Sequence, residues 1–551
     1  MSDKQALLSH ILTERGILAR DQESFLRPDF ARDVHDPFLL HNMDKAVNRI
    51  LAAISSKEKI VVFGDYDADG VPATALLVRA LTPLGATIIP IIPLRSDGYG
   101  LSSAAVQTIR ALGAQLLITV DNGTVAGEHI SALLADGIET IVVDHHEPHG
   151  EHVAHAAVAM VNPKQAACEY PFKELCACAL AWKVAVACYR SLGKDEAQLK
   201  WLLDLVAVST VGDLVPLVGE NRTLVQFGLK VFAKTRNLGL RLLSETAGVT
   251  ITEISAGDIG FKIAPRLNAP SRMHSESHNE EHAALTLLTT EDATRGVHLA
   301  EYVNKQNSER QALVERSVRE AMTLVGEDPQ DLCIVVYDPS WSSGVIGLVA
   351  SKLVERYKRP AIVLANEDSV IKGSVRSVDG AHALTMLDAA AETLEQYGGH
   401  AKAAGLSLQP QGTPEALRAA VNNGLAKLGL SLTQFATSLV RKPDATMTLG
   451  DVDLELADAL AELEPYGMGF PTPIVRVEAA SVGVKAIGKE GQHRSCMLEH
   501  EQVQRRAVAW GAKATQLEEG KHAYFDLYVE SQEWKGICSV NLVINHVQDL
   551  V

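Results

Sequence analysis

Aspartates recur in this chain where runs of apolar residues end, and one of them is followed by two histidines. Ile141-Val142-Val143 reads as a buried strand that turns polar at Asp144-His145-His146-Glu147. Upstream, Ile60-Val61-Val62-Phe63 runs into Gly64-Asp65-Tyr66-Asp67-Ala68-Asp69-Gly70, and Leu116-Leu117-Ile118-Thr119-Val120 runs into Asp121-Asn122-Gly123. Val208-Ser209-Thr210-Val211-Gly212 leads to a further acidic position, Asp213. In an open parallel sheet, ligands sit outside the carboxyl ends of the strands, so side chains there face a crevice. Asp67, Asp69, Asp121, Asp144, Asp213 and His145, with Asp65 and His146 close by, offer oxygen donors and an occasional imidazole, a set that suits Mg²⁺ or Mn²⁺. So many converging carboxylates repel one another unless cations lie between them, which calls for more than one metal. Two ions roughly 3.5–4 Å apart form the clamp used for in-line hydrolysis of phosphoesters. The competing reading is that each aspartate caps a helix starting after its strand. It serves for any one of them better than for all together.

The elements that must position these residues are those of a multidomain protein. At 551 residues the chain divides into roughly three or four domains. Its 22% charged and 47% hydrophobic residues are ordinary for a globular protein. No apolar run is long enough to span a bilayer, and Met1-Ser2-Asp3-Lys4-Gln5 lacks a signal layout, so a cytoplasmic protein without a membrane anchor is expected. Seven scattered cysteines suit a reducing compartment. Four fall between Cys168 and Cys188 without a C-x-x-C pair, and they read as small buried hydrophobes rather than a zinc or iron–sulfur site. The net charge of −17 excludes generic whole-surface binding of nucleic acid, so a polyanionic substrate must be drawn in by a few placed Arg and Lys residues or by metal ions.

Taken in order, residues 1–56 read as a helical extension containing the loop Asp36-Pro37-Phe38. Residues 57–228 alternate strand and helix as a doubly wound α/β domain with a parallel sheet. Residues 229–330 form a helical connector whose long amphipathic stretch is Glu291 to Val325. Within it, Ala264 to Arg272 reads as a loop because of Pro265 and Pro270. His274, His278 and His282 recur four apart, which could put three imidazoles on one helix face, but their polar neighbours favour a solvated segment. Residues 331–440 form a second α/β domain, with glycines at Gly344, Gly347, Gly373, Gly398 and Gly399 that mark close backbone approach or simple turns. Residues 441–551 alternate as a small antiparallel barrel. Arg95, Arg266 and Arg376 lie beside Gly, Pro or Ser, where a guanidinium can grip a terminal phosphate or simply be solvated.

With Gly64 to Gly70, Val120-Asp121-Asn122-Gly123, Asp144-His145-His146 and Val211-Gly212-Asp213 in hand, the chain resembles the DHH phosphoesterase superfamily. Pro265-Arg266-Leu267-Asn268-Ala269, Gly344-Val345-Ile346-Gly347, Gly398-Gly399-His400 and Pro465-Tyr466-Gly467-Met468 extend the likeness to its RecJ-type single-strand-specific 5′→3′ exonucleases, from about Phe25 to the C-terminus. The resemblance implies a DHH domain, a DHH-associated domain and an OB-like barrel. It implies that Asp67, Asp69, Asp121, Asp144, His145 and Asp213 surround two metals, with Asp65 and His146 beside them. Arg95, Arg266, Ser374 and Arg376 would form the pocket for a 5′ phosphate, and His400 would contact the reacting nucleotide. Three stretches depart from the pattern: Trp341-Ser342-Ser343, Cys176-Ala177-Cys178 and Pro270-Ser271. They are expected to tune the rate without touching the metal ligands.

The expected protein is therefore a monomeric exonuclease that uses two Mn²⁺ or Mg²⁺ ions to degrade single-stranded DNA from its 5′ end to nucleoside 5′-monophosphates in DNA repair and recombination. The α/β domains are expected to form a cleft too narrow for a duplex, with the metals on its floor. The barrel is expected to hold the strand through Arg476, Lys485, Lys489, Arg494 and Trp510, although Trp510 equally suits the core. Single-strand-binding protein and a RecQ-type helicase follow as partners from the resemblance alone. The alternatives are a phosphodiesterase for short oligonucleotides or cyclic dinucleotides, which would have no use for the barrel, and a non-catalytic DNA-binding subunit, which would have eroded acidic positions.

Overall fold

In the computed structural model, residues 3–550 are described except 96–97, 99, 151, 274–281, 328, 368, 439–440, 489–490 and 535. Strands β1 (Lys59–Phe63), β2 (Thr87–Ile91), β3 (Leu116–Val120), β4 (Glu139–Val143) and β5 (Ala159–Val161) form one sheet in the order β2-β1-β3-β4-β5. Every pair in it is parallel. The continuous apolar character of β1, β3 and β4 follows from burial on both faces. Ile60 and Val62 point into a layer with the helices Met43–Ser55, Gly70–Leu81 and Ala177–Ser191. Val61 and Phe63 point the other way, onto Ile109, Ile130 and Leu133.

The chain divides into two compact units, residues 1–306 with 443–551, and residues 307–442. The division falls inside the 33-residue helix Ala293–Val325. In the second unit, β6 (Ile334–Tyr337), β7 (Ala361–Glu367), β8 (Val370–Arg376), β9 (Leu394–Gly399) and β10 (Ala403–Leu408) pair in the order β6-β7-β8-β10-β9. Only β6 and β7 run parallel.

In the first unit, the short β11 (Ala445–Thr446) flanks β12 (Val475–Ile487). That strand leads a closed barrel with β13 (His493–His500), β14 (Val503–Ala509), β16 (Ile537–Asp549) and β15 (His522–Trp534), which pairs back onto β12. The barrel departs from pure antiparallel pairing, because β16 lies between β15 and β14 and runs parallel to β14. Closure removes the free edges that a five-stranded sheet would otherwise expose.

The N-terminal residues do not form one extension. Leu8, Ile11, Leu12 and Phe25 pack into the barrel core, whereas Met43, Ala46, Val47 and Ile50 pack on the first sheet. Arg222, on the helix Gly219–Phe232 and 1% exposed, links these parts. Its guanidinium donates to the carbonyls of Phe25, Leu463, Glu464 and Pro465 at 2.7–3.0 Å and lies 3.8 Å over the Phe25 ring.

Two local expectations fail. Ala264–Arg272 is a helix, entered from a π turn at Ile259–Ile263. Pro265 is harmless in its first turn, where the missing N–H would have had no partner. His282, rather than being solvated, is buried and caps the helix Ala283–Thr289 by accepting the Leu285 N–H. His274 and His278 lie outside the described residues.

Candidate metal centre

The carboxyl ends of the adjacent strands β1, β3 and β4 deliver Asp65, Asp67 and Asp69, then Asp121, then Asp144, His145 and His146 to one edge of the sheet. Asp213 arrives from elsewhere, as the cap residue at the end of the helix Leu203–Gly212. His145 Nε2 lies 3.3 Å from Asp121, 3.6 Å from Asp213 and 3.8 Å from Asp69. Donor atoms of Asp65, Asp67 and Asp121 also lie within 4.8 Å of one another, as do those of Asp121, His145 and His146. Asp121 is thus common to overlapping donor groups. Its backbone is held in the left-handed region at φ 64°, the kind of strain that persists where the surroundings fix a side chain's aim. A glycine is needed at Gly70, because a Cβ there would lie 2.3 Å from the Asp65 nitrogen.

Burial and mutual repulsion dominate the electrostatics. Burial raises the Asp65, Asp121 and Asp213 carboxyls well above the usual range, and neighbouring carboxylates push them further. Burial and the charge of Asp67 carry Asp69 up to about 7, despite N–H donation to it from Ala177 and Cys178 at 2.6 and 2.8 Å. Burial and the adjacent His146 draw His145 down to about 4, leaving the neutral imidazole that a metal requires. Among the described residues its buried Nε2 has no hydrogen-bond partner although carboxylates surround it, and Asp65 Oδ1 is likewise unpartnered. Crowded carboxylates facing an unsatisfied imidazole fit divalent cations, and nothing in the donor set favours a sulfur-ligated site.

Asp144 is set apart. One of its oxygens accepts the His145 and His146 N–H groups and contacts His146 Nδ1 at 2.7 Å, and the other accepts the Thr124 N–H. Burial alone would raise its carboxyl, but the bond to His146 holds it well below the usual range. The same bond outweighs burial at His146 and raises that imidazole. Asp144 belongs to none of the three-donor groups among the described residues, and its closest side-chain contact is with His146.

Sequence reasoning missed other members of this shell. Asn162, fully buried just after β5, donates to the His146 carbonyl and the Thr124 hydroxyl. Asn122 donates to the carbonyls of Phe63 and Val120. The apolar Ala159-Met160-Val161 followed by Asn162-Pro163 was the available signal, but a three-residue strand is faint. Cys176-Ala177-Cys178 does touch the centre, contrary to expectation, since the Ala177 and Cys178 N–H groups hold Asp69.

The phosphate-binding candidates are spread over both units. Arg95 stacks 4.2 Å over the Tyr66 ring, and its buried Nε has no hydrogen-bond partner among the described residues. Arg266 donates to Asn304 Oδ1 and the Lys262 carbonyl, and burial lowers its pKa from the arginine range. In the second unit, Arg376 donates to Ser374 Oγ at 3.1 Å, and both lie against the helix Ser343–Tyr357 at Gly347. A Cβ on Gly347 would come within 2.9 Å of each. His400 is exposed at the turn between β9 and β10.

On the barrel, Arg476 is committed to Asp526, with nitrogens 2.7 and 3.0 Å from its two carboxylate oxygens. Arg494 donates to the Leu517 carbonyl. Lys485 is exposed and Lys489 lies outside the described residues. Trp510 is 48% exposed, so it is not core, and meets His493 edge to face.

Comparison with known proteins agrees with this construction. Residues 59–210 match the DHH family N-terminal domain, residues 330–426 the DHHA1 domain and residues 443–546 the RecJ OB domain. The single-stranded-DNA-specific exonuclease RecJ of Bacillus subtilis is 37% identical over 520 residues, a match spanning 93% of this chain and 64% of that protein, slightly under two thirds. RecJ of Haemophilus influenzae is 30% identical over 572 residues, spanning 98% of this chain and 97% of its own. The crystal structure of Thermus thermophilus RecJ with Mn²⁺ matches at a TM-score of 0.80 and 29% identity, over 99% of this chain and 76% of that one, and its Mg²⁺ complex gives 0.78. With relatives matched along nearly the whole chain and a donor cluster where the DHH motifs fall, this protein belongs to the RecJ family.

Proposed function

We propose that the protein is a metal-dependent exonuclease specific for single-stranded DNA, degrading it from the 5′ end to nucleoside 5′-monophosphates in repair and recombination. The observation that carries this reading is His145 Nε2, buried and without a hydrogen-bond partner at 3.3–3.8 Å from carboxylates of Asp69, Asp121 and Asp213. These four residues would hold one Mn²⁺ or Mg²⁺, and Asp65, Asp67 and Asp121 a second. When bound, such a pair supplies an activated water and neutralises charge on the phosphodiester. His146, positioned by Asp144, and His400 act on the reacting nucleotide. Arg95 and Arg266 on the first unit, and Ser374 and Arg376 on the second, are its phosphate-binding residues. Lys485, Lys489 and the exposed Trp510 are the strand contacts of the barrel, whereas Arg476 and Arg494 serve its structure. Single-strand-binding protein and a RecQ-type helicase are the proposed partners.

The test is hydrolysis of end-labelled strands, with and without a 5′ phosphate, in Mn²⁺, Mg²⁺ and chelator. Mononucleotides released from the 5′ end of single strands only, and only with metal, are expected. Release from the 3′ end, or equal attack on duplex, would refute the reading.

A further inference from the structure

The strand register of the barrel assembles a second group of donors on its outer surface. Along the outward face of β12, Glu478 pairs with Tyr524 of β15, and Ala480 pairs with His522 on one side and with Glu499 of β13 on the other. His500, the last residue of β13, follows directly. Glu478, His500 and His522 each place a donor atom within 4.8 Å of the others. Glu478 Oε1 lies 3.5 Å from His522 Nε2, and the two imidazole planes are parallel within 9° at a centroid separation of 6.3 Å. Ala480, between them in the register, carries only a methyl group. His522 and Glu478 have side chains 48% and 41% exposed, so protons and ions reach them freely.

We propose that Glu478, His500 and His522 form a binding site for a borderline transition-metal dication such as Zn²⁺, separate from the carboxylate centre. Donors bonded to tetrahedral zinc at ~2.1 Å lie ~3.4 Å from one another, close to the separation already present between Glu478 and His522. The half-buried His500 already sets a ring nitrogen within 4.8 Å of the other two donors, so a small closing movement completes the set. Two imidazoles and one carboxylate favour Zn²⁺, Ni²⁺ or Cu²⁺ over Mn²⁺, the reverse of the oxygen-rich centre at the sheet edge. An ion there would tie the end of β13 and the start of β15 to the strand between them, across the seam that closes the barrel. The inference is independent of the nuclease reading.

The experiment compares Zn²⁺ retained per chain after equilibrium dialysis of the full-length protein, stripped with chelator and then held in excess Mn²⁺. Wild type, H500A/H522A, H522Q and E478Q are measured, with circular dichroism to verify folding. Wild type should retain one equivalent of Zn²⁺ more than H500A/H522A and H522Q, and E478Q should bind that equivalent at least tenfold more weakly. Mn²⁺-dependent hydrolysis should be unchanged in all of them. Zn²⁺ should also raise the unfolding temperature of wild type more than that of the double variant. Equal retention by wild type and the histidine variants overturns the proposal, whether the extra equivalent is absent from all of them or persists in all.

Discussion

Replacing Arg222 with methionine tests the balance of forces that joins the barrel to the metal-bearing domain. The substitution keeps most of the side-chain volume while removing the charge and its donors. Four carbonyls, on Phe25, Leu463, Glu464 and Pro465, lose their partner. At roughly 1.5 kcal/mol for each bond from a charged donor, the loss is about 6 kcal/mol. Against it stands the relief of not burying a charge. Burial brings the Arg222 pKa down from the arginine range to about 10, equivalent to about 3 kcal/mol. Hydrogen bonding wins, and R222M should be less stable by about 3 kcal/mol. Spread over a unit of roughly 400 residues, that corresponds to a fall of about 3–4 °C in unfolding temperature. R222K keeps the charge but offers three donors from a shorter reach, and should fall between. Differential scanning calorimetry reads the shift. Below the transition, R222M should lose activity on long strands more than on dinucleotides, because only the former need the barrel. An unfolding temperature equal to or above wild type would mean that desolvation outweighs the carbonyl bonds, and the reasoning would fail.

Three further outcomes are expected. D121N should abolish metal-dependent hydrolysis, whereas D144N, which weakens the contact to His146, should lower kcat by about 10- to 100-fold with metal affinity largely kept; a metal titration of both variants separates the two outcomes. G347A should cost the preference for 5′-phosphorylated ends in a comparison of phosphorylated and unphosphorylated strands, because its Cβ would press on Arg376 and Ser374 at 2.9 Å. Asp204, 1% exposed, has its carboxyl pushed by burial up to about 6. As pH climbs from about 4 to about 6 the unfolded chain releases this proton first, so native stability falls by about 3 kcal/mol through that window and stays lower above it. D204N should therefore raise the unfolding temperature at neutral pH, with an advantage that vanishes below pH about 4.

The strand-end aspartates were legible because a buried parallel strand has an unmistakable pattern, continuous apolar residues stopping at a polar turn. Asp213 was grouped with the others from the sequence, but its delivery from a helix end rather than a strand end was not legible. The contacts of Asp144 to Thr124 and His146 were only partly visible, because they depend on where the N–H of Thr124 falls in space. The same holds for Asp69, whose donors come from Ala177 and Cys178, 108 and 109 residues away. The pairing of Arg476 with Asp526 could not be read either, because it depends on the register that sets the two opposite one another. The helix at Ala264–Arg272 was hidden by Pro265, harmless in its first turn, and by Pro270, which the helix carries in its interior.

Arg222 finds its last acceptor 243 residues further along the chain, and Arg15 bonds to Asp444, 429 residues away. Between them the ribosome must make the whole of residues 307–442, which form a separate compact unit. At about 5–20 residues per second, the apolar faces of Leu8, Ile11 and Phe25 wait for tens of seconds before the barrel that covers them has emerged. Nascent chains of this protein therefore present a sticky N-terminal surface throughout most of translation, and that interval is when a chaperone has most to do.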